Sequence, residues 1–134
     1  MRTALLLLIS MAAVADPTAD VLSVFSAAAG ALTNDDAAAF LDNFDRNMPQ
    51  YSKLQTDIEG MLAAYDVGST IEVVSDEGDD QIRSVELDWL LLATRKDAIN
   101  SAQETRRRVV KCRLERRGKR WKITSLEPVD FFQY

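Results

Sequence analysis

Near residue 69 the spacing of apolar side chains changes from every third or fourth residue to every second, and this switch limits what the chain can fold into. Upstream, Val21, Phe25, Ala28 and Leu32 recur at helical spacing after Asp16-Pro17, a pair suited to opening a helix. Thr33-Asn34-Asp35-Asp36 reads as a second helix start with Thr33 as its cap, followed by Phe40, Leu41, Phe44 and Met48 on one stripe. Beyond Pro49, the residues Tyr51, Leu54, Ile58, Met61, Leu62 and Tyr65 predict a third helix that Gly68 stops.

From Ser69 onward the pattern is that of strands. Ile71 and Val73 flank Glu72, and residues 75–80 (SDEGDD) read as a turn. Val85, Leu87, Trp89 and Leu91 then oppose Glu86 and Asp88, and residues 94–102 read as a loop. Val110, Cys112 and Leu114 alternate with Lys111, Arg113 and Glu115, with a bulge expected where Val109 and Val110 adjoin. Gly118 turns the chain into a fourth strand through Trp121 and Ile123, which Pro128 ends. Short links between successive strands favour antiparallel neighbours. The fold class expected is therefore α+β: three N-terminal helices covering the apolar face of a curved four-stranded antiparallel sheet.

The first fifteen residues stand apart. Arg2 precedes an apolar run of about twelve residues, and Ala13-Val14-Ala15 has the small-x-small form of a cleavage site, so residues 1–15 read as a secretory signal peptide. Residues 16–134 are then a single domain. Export to the periplasm or beyond, with no stable membrane anchor, is the localisation expected. Cys112 is the only cysteine, so no disulfide can form within the chain, and its alternation with Val110 and Leu114 makes it a buried thiol.

The order of elements and the ending GKRWKITSLEPVDFF resemble the nuclear transport factor 2-like superfamily, also called cystatin-like, over roughly residues 17 to 132. The closest likeness is to small secreted bacterial members of unassigned function. The resemblance implies a cone with a pocket inside it, and dimers formed through the outer sheet face. It also implies a choice among ketosteroid isomerases, cyclases, dehydratases, epoxide hydrolases and noncatalytic binders, because one fold carries many functions.

Catalytic options narrow on composition. The chain has no His, which closes dehydratase chemistry of the scytalone type. Isomerase chemistry needs a carboxylate base with a Tyr in an apolar cavity. Tyr51 and Tyr65 are available, but Asp57, Glu86 and Asp88 all have the parity of outward-facing residues. Asp88 with Arg106 or Arg108 imitates part of an epoxide-hydrolase set, and reads more simply as a cross-strand ion pair. The cluster Asp76-Glu77-Gly78-Asp79-Asp80 lacks the spacing of a calcium loop. Nothing asks for a cofactor or a metal.

Residues 104–122 hold ten Lys or Arg and two acids, a net +8, against −14 for the rest of residues 16–134. That basic hairpin (106–122), with Arg106, Arg108, Lys111 and Arg113, is a candidate anion-binding surface. Pairing with Glu86 and Asp88 across the sheet explains the same charges, and no aromatic platform for nucleic acid interleaves them except Trp121. Phe44, Tyr65, Trp89, Cys112 and Trp121 are the candidates to line a pocket. The function expected is a secreted noncatalytic binding or interaction module for a small apolar ligand, with a homodimer through the sheet. A pocket-carboxylate isomerase, cyclase or hydrolase and an anion-binding hairpin are the alternatives.

Overall fold

A computed structural model describes residues 17–97 and 102–134, so the expected signal peptide lies outside the described residues. The elements run α1 (Pro17–Thr33), α2 (Ala37–Leu41), α3 (Tyr51–Ala64), β1 (Tyr65–Gly78), β2 (Ile82–Arg95), β3 (Glu104–Arg117), β4 (Arg120–Glu127) and a final 3₁₀ turn, Val129–Phe132. The sheet is antiparallel throughout, in the order β1-β2-β3-β4. Three helices on a curled four-stranded sheet is the α+β architecture expected.

Each helix forms where one apolar stripe can be buried. Val21, Phe25, Ala28 and Leu32 of α1 and Leu54, Ile58, Met61 and Leu62 of α3 are all buried. Each large side chain so placed contributes about 1.5–3 kcal/mol. Thr33 does not cap the second helix. It is the last residue of α1, where its hydroxyl donates to the Ala29 carbonyl (3.3 Å) and accepts from the Ser69 N–H (3.2 Å). Asp36 is the cap, accepting from the Ala39 N–H at 3.0 Å. α2 is consequently short, and Phe44 lies beyond it, in an isolated parallel bridge to Ile123 of β4.

Gly68 does not stop α3. The helix ends at Ala64, and Tyr65 is already extended, so β1 begins four residues before Ser69. Gly68 sits within β1 opposite Leu92. β1 also runs past Ser75 as far as Gly78, where φ is +143° and an added Cβ would lie 2.2 Å from the Ile82 carbonyl oxygen; only glycine permits that close approach.

No bulge forms at Val109–Val110, because the β2–β3 register runs unbroken and the two valines simply face opposite sides. Val109 is half exposed and Val110 buried. The register shifts occur instead at Val74 of β1 and Thr124 of β4. The inner face carries Val85, Leu87, Trp89, Leu91, Val110, Cys112, Leu114 and Ile123, all buried.

The chain ends by folding back under the sheet. Phe131 and Phe132 are buried, and Arg106 Nη1 donates to the carbonyls of Phe131 (2.8 Å) and Gln133 (2.7 Å). The Arg106 guanidinium also lies 4.0 Å from the centre of the Tyr134 ring.

Candidate functional site

The axis of the cone is filled with rings. Trp89 touches Phe25, Phe40, Phe131 and Phe132 at centroid distances of 5.3–6.5 Å, and Phe40 stacks on Phe44 at 5.0 Å. The indole N–H of Trp89 donates to Ser69 Oγ at 2.8 Å, which meets the demand of a buried indole for a partner. Trp89 and Phe44 are thus packing residues. Where the resemblance implies a pocket, the C-terminal Phe131 and Phe132 pack between Trp89, Phe40 and α3.

The other expected pocket residues disperse. Tyr65 packs on Tyr134 at 5.0 Å, with Arg95 5.7 Å from its ring centre. Cys112 is buried on the inner face, and burial pushes its thiol above the usual range, which disfavours the thiolate that nucleophilic chemistry needs. Trp121 is buried with no partner for its N–H among the described residues, beside a cleft of about 180 Å³ bordered by Asp20 and Arg120. Of the five, Phe44 alone borders the cleft of about 500 Å³ that the helices leave open.

That cleft lies outside the cone, between α2, the segment after it, α3 and the β3–β4 turn. The parallel bridge of Phe44 to Ile123, flanked by Asp45 N–H to Ile123 O and Ile123 N–H to Asn43 O (both 2.9 Å), fixes residues 43–45 against β4. Ala38, Leu41, Phe44 and Tyr51 form the apolar side. Asp42, Asp45, Arg46, Arg117 and Lys122 form the polar side, with Gln55 and Glu59 of α3. Its volume falls within the range of small-molecule sites, about 300–1,000 Å³.

Most of the charges there are already neutralised. Arg117 holds Asp45 at 2.7 Å, and Arg120 holds Asp42 at 3.0 Å. The Lys122 ammonium donates to the Asp42 carbonyl and stands 3.8 Å from its carboxylate. The Arg120 hydrogen bond, and after it the Lys122 charge, hold the Asp42 carboxyl below its ordinary value. Arg46 forms no hydrogen bond or ion pair among the described residues. No sequence motif marks this site, since its acids and bases come from segments some seventy residues apart.

The four candidate anion-binding residues divide by strand parity. Arg106 and Arg108 stand opposite Leu91 and Trp89, on the inner side, whereas Lys111 and Arg113 stand opposite Glu86 and Ser84, on the outer side. Arg106 is committed to the C-terminal tail. Lys111 and Arg113 border a shallow outer-face groove that Glu77, Glu86 and Glu127 share. Asp88 pairs with Arg107, through three contacts of 2.6–3.1 Å, in place of Arg106 or Arg108, and this pair holds the Asp88 carboxyl low. Asp57 is less exposed than its parity suggests, paired with Lys53 at 2.7 Å beside the tail. Among the described residues no group of His, Cys, Asp and Glu side chains converges as a metal site.

No family model matches this sequence, and no curated protein matches it. Solved structures do. A conserved protein from Planctomyces limnophilus superposes with a TM-score of 0.72 at 8% identity, over 81% of this chain and 91% of that one. A proposed dehydratase of the nuclear transport factor 2-like family from Streptomyces avermitilis gives 0.66 at 11%, over 81% and 92%. A nuclear transport factor 2-like protein of unknown function from Shewanella oneidensis gives 0.62 at 14%, over 83% and 97%. The chain has the nuclear transport factor 2-like fold, and these neighbours are mostly of unknown function.

Proposed function

We propose that this chain is an exported, noncatalytic binding module that takes a small amphiphilic ligand in the cleft between α2, α3 and the β3–β4 turn. One observation carries the proposal: the cone is filled by the chain's own rings, while the cleft offers about 500 Å³ with an apolar floor and a charged rim. Arg46 supplies a cation that forms no ion pair among the described residues, and Leu41, Phe44 and Tyr51 supply contact for an apolar body. Against an isomerase, cyclase or hydrolase stands the state of the carboxylates. Asp42 and Asp45 are both ion-paired, and Asp42, whose carboxyl is held below its ordinary value, accepts protons poorly.

The test uses 8-anilinonaphthalene-1-sulfonate, an apolar body with one anionic group, followed by fluorescence. Ala38 is exposed at the cleft wall, so Ala38→Trp fills the site from outside and leaves the core untouched. Dye binding to the folded parent that falls at least about tenfold in this variant supports the cleft, since filling a pocket removes the contacts a ligand needs. Equal binding by both proteins rejects it.

Export rests on the make-up of residues 1–15, and a secreted product whose mass begins at Asp16 tests it. Pairing of two copies through the outer sheet face is supported by Val74 and Val109, both more than half or half exposed there. Val109→Glu should convert a dimer to a monomer in light scattering; a mass unchanged by the substitution discards that interface.

A further inference from the structure

β3 is longer than the strand beside it. Its pairing with β4 starts at Lys111, opposite Glu127, so residues 105–110 have no strand on the side away from β2 among the described residues. The C-terminal tail does not fill this gap. Its own backbone bonds are internal, Phe131 N–H to Pro128 O and Gln133 N–H to Asp130 O, and it is gripped from the inner face by Arg106. The alternate N–H and C=O groups that point away from β2 are therefore without a backbone partner among the described residues, which is a template for an added strand.

The side chains on that edge select what can be added. Three successive arginines, 106 to 108, alternate between the two faces of the sheet. Arg106 serves the tail and Arg107 serves Asp88, but Arg108 is exposed and forms no hydrogen bond or ion pair among the described residues. Val109 beside it is half exposed on the outer face. A flat anionic surface could reach only one face of this edge. An extended peptide reaches both, because its own side chains alternate with the same period. Pairing of this edge with the same edge of a second copy would bring Arg108 towards like charge, which disfavours it.

We infer that residues 105–110 of β3 form an acceptor edge for an extended, acidic segment of a partner protein, added antiparallel as a further strand. Acids on the incoming chain would face Arg108 on one side and the Arg107–Asp88 pair on the other. Main-chain hydrogen bonds would give affinity, and the arginines would exclude neutral and basic segments. The site is independent of the cleft.

The experiment titrates the full chain with acetyl-Val-Val-Glu-Glu-Glu-Thr amide and follows backbone amide signals by NMR. Shifts centred on residues 105–110, with affinity reduced about tenfold or more by Arg108→Glu, are expected. Two analogues N-methylated on complementary alternate residues keep the charge but remove one set of N–H groups each. Only one set can face β3, so one analogue should lose binding and the other retain it. Equal binding by both analogues overturns the proposal, as does the absence of shifts at millimolar peptide. Shifts confined to Lys111 and Arg113, reproduced by a heparin-derived tetrasaccharide, overturn it in favour of a surface anion site.

Discussion

Replacing Phe132 with alanine tests whether the chain's own C-terminus fills the cone. Phe132 is fully buried and meets Phe40, Trp89 and Phe131 edge-on, at 5.4, 5.3 and 5.0 Å. Burial of such a ring contributes about 1.5–3 kcal/mol, and each well-placed aromatic pair adds about 0.5–1.5 kcal/mol. The cavity left by truncation resists collapse, because Trp89 is anchored to Ser69 and Phe40 to the α2 turn. We expect Phe132→Ala to cost about 4 kcal/mol, within the usual 3–5 for such truncations. In urea, with an m-value near 2 kcal/mol/M, the midpoint should fall by about 2 M with m unchanged. A domain whose total stability is about 5–15 kcal/mol sits close to unfolding after such a loss. Phe132→Leu is therefore measured alongside, with an expected cost of about 1–2 kcal/mol as most of the volume is kept. A loss below about 1 kcal/mol for the alanine variant, at constant m, would refute the packing of this segment in the cone.

The two tryptophans should respond differently to Phe. Trp89→Phe removes the hydrogen bond to the half-buried Ser69 hydroxyl and should cost about 1 kcal/mol more than Trp121→Phe, which removes an indole N–H with no partner among the described residues. Urea denaturation of the pair checks this, and equal losses would contradict the assignment. Stability should be flat between pH 5 and 8, because the chain has no His and the buried Cys112 thiol is pushed upward. Asp42 and Asp88 have depressed values in the folded state, so their contribution is fully present above the unfolded value near 3.8 and is lost as pH falls through the folded values. A thermal midpoint that moves between pH 5 and 8, or fails to drop below about pH 4, would count against these ion pairs. Native Cys112 should resist a thiol-specific disulfide reagent and react at the rate of chain opening; rapid reaction in the native protein would place it wrongly.

The sheet is legible in the sequence because alternation is a strong local signal. Val85 to Leu91 and Val110 to Leu114 each repeat it several times, and a single slip would expose every one of them. Tyr65 shows where such signals fail. Three residues after Leu62, it fits a helical stripe, and two residues before Val67, it fits a strand; the choice is made by pairing with Arg95, thirty residues away. Phe44 and Met48 likewise continue the spacing of Phe40, yet α2 ends at Leu41 because the segment after it bridges to Ile123. Long-range pairing overrode local periodicity in both places.

The candidate site was less legible for a related reason. An apolar cone reads as a pocket until something is known to fill it, and the filler is Phe131-Phe132, brought to Trp89 by a chain reversal after β4. The cleft draws Asp42 and Asp45 from one end of the chain and Arg117 and Lys122 from the other, so no spacing rule could have grouped them. The basic stretch is the instructive case. Counted by composition, residues 106 to 113 form one cationic patch. Placed on a strand, they divide between two faces, and one face spends Arg106 on the tail while the other meets Glu77, Glu86 and Glu127. What survives that subtraction is Arg108 on an edge with no further strand among the described residues, and this is why the proposed partner is an extended chain, which can present acids to both faces at once, and not a flat anionic surface.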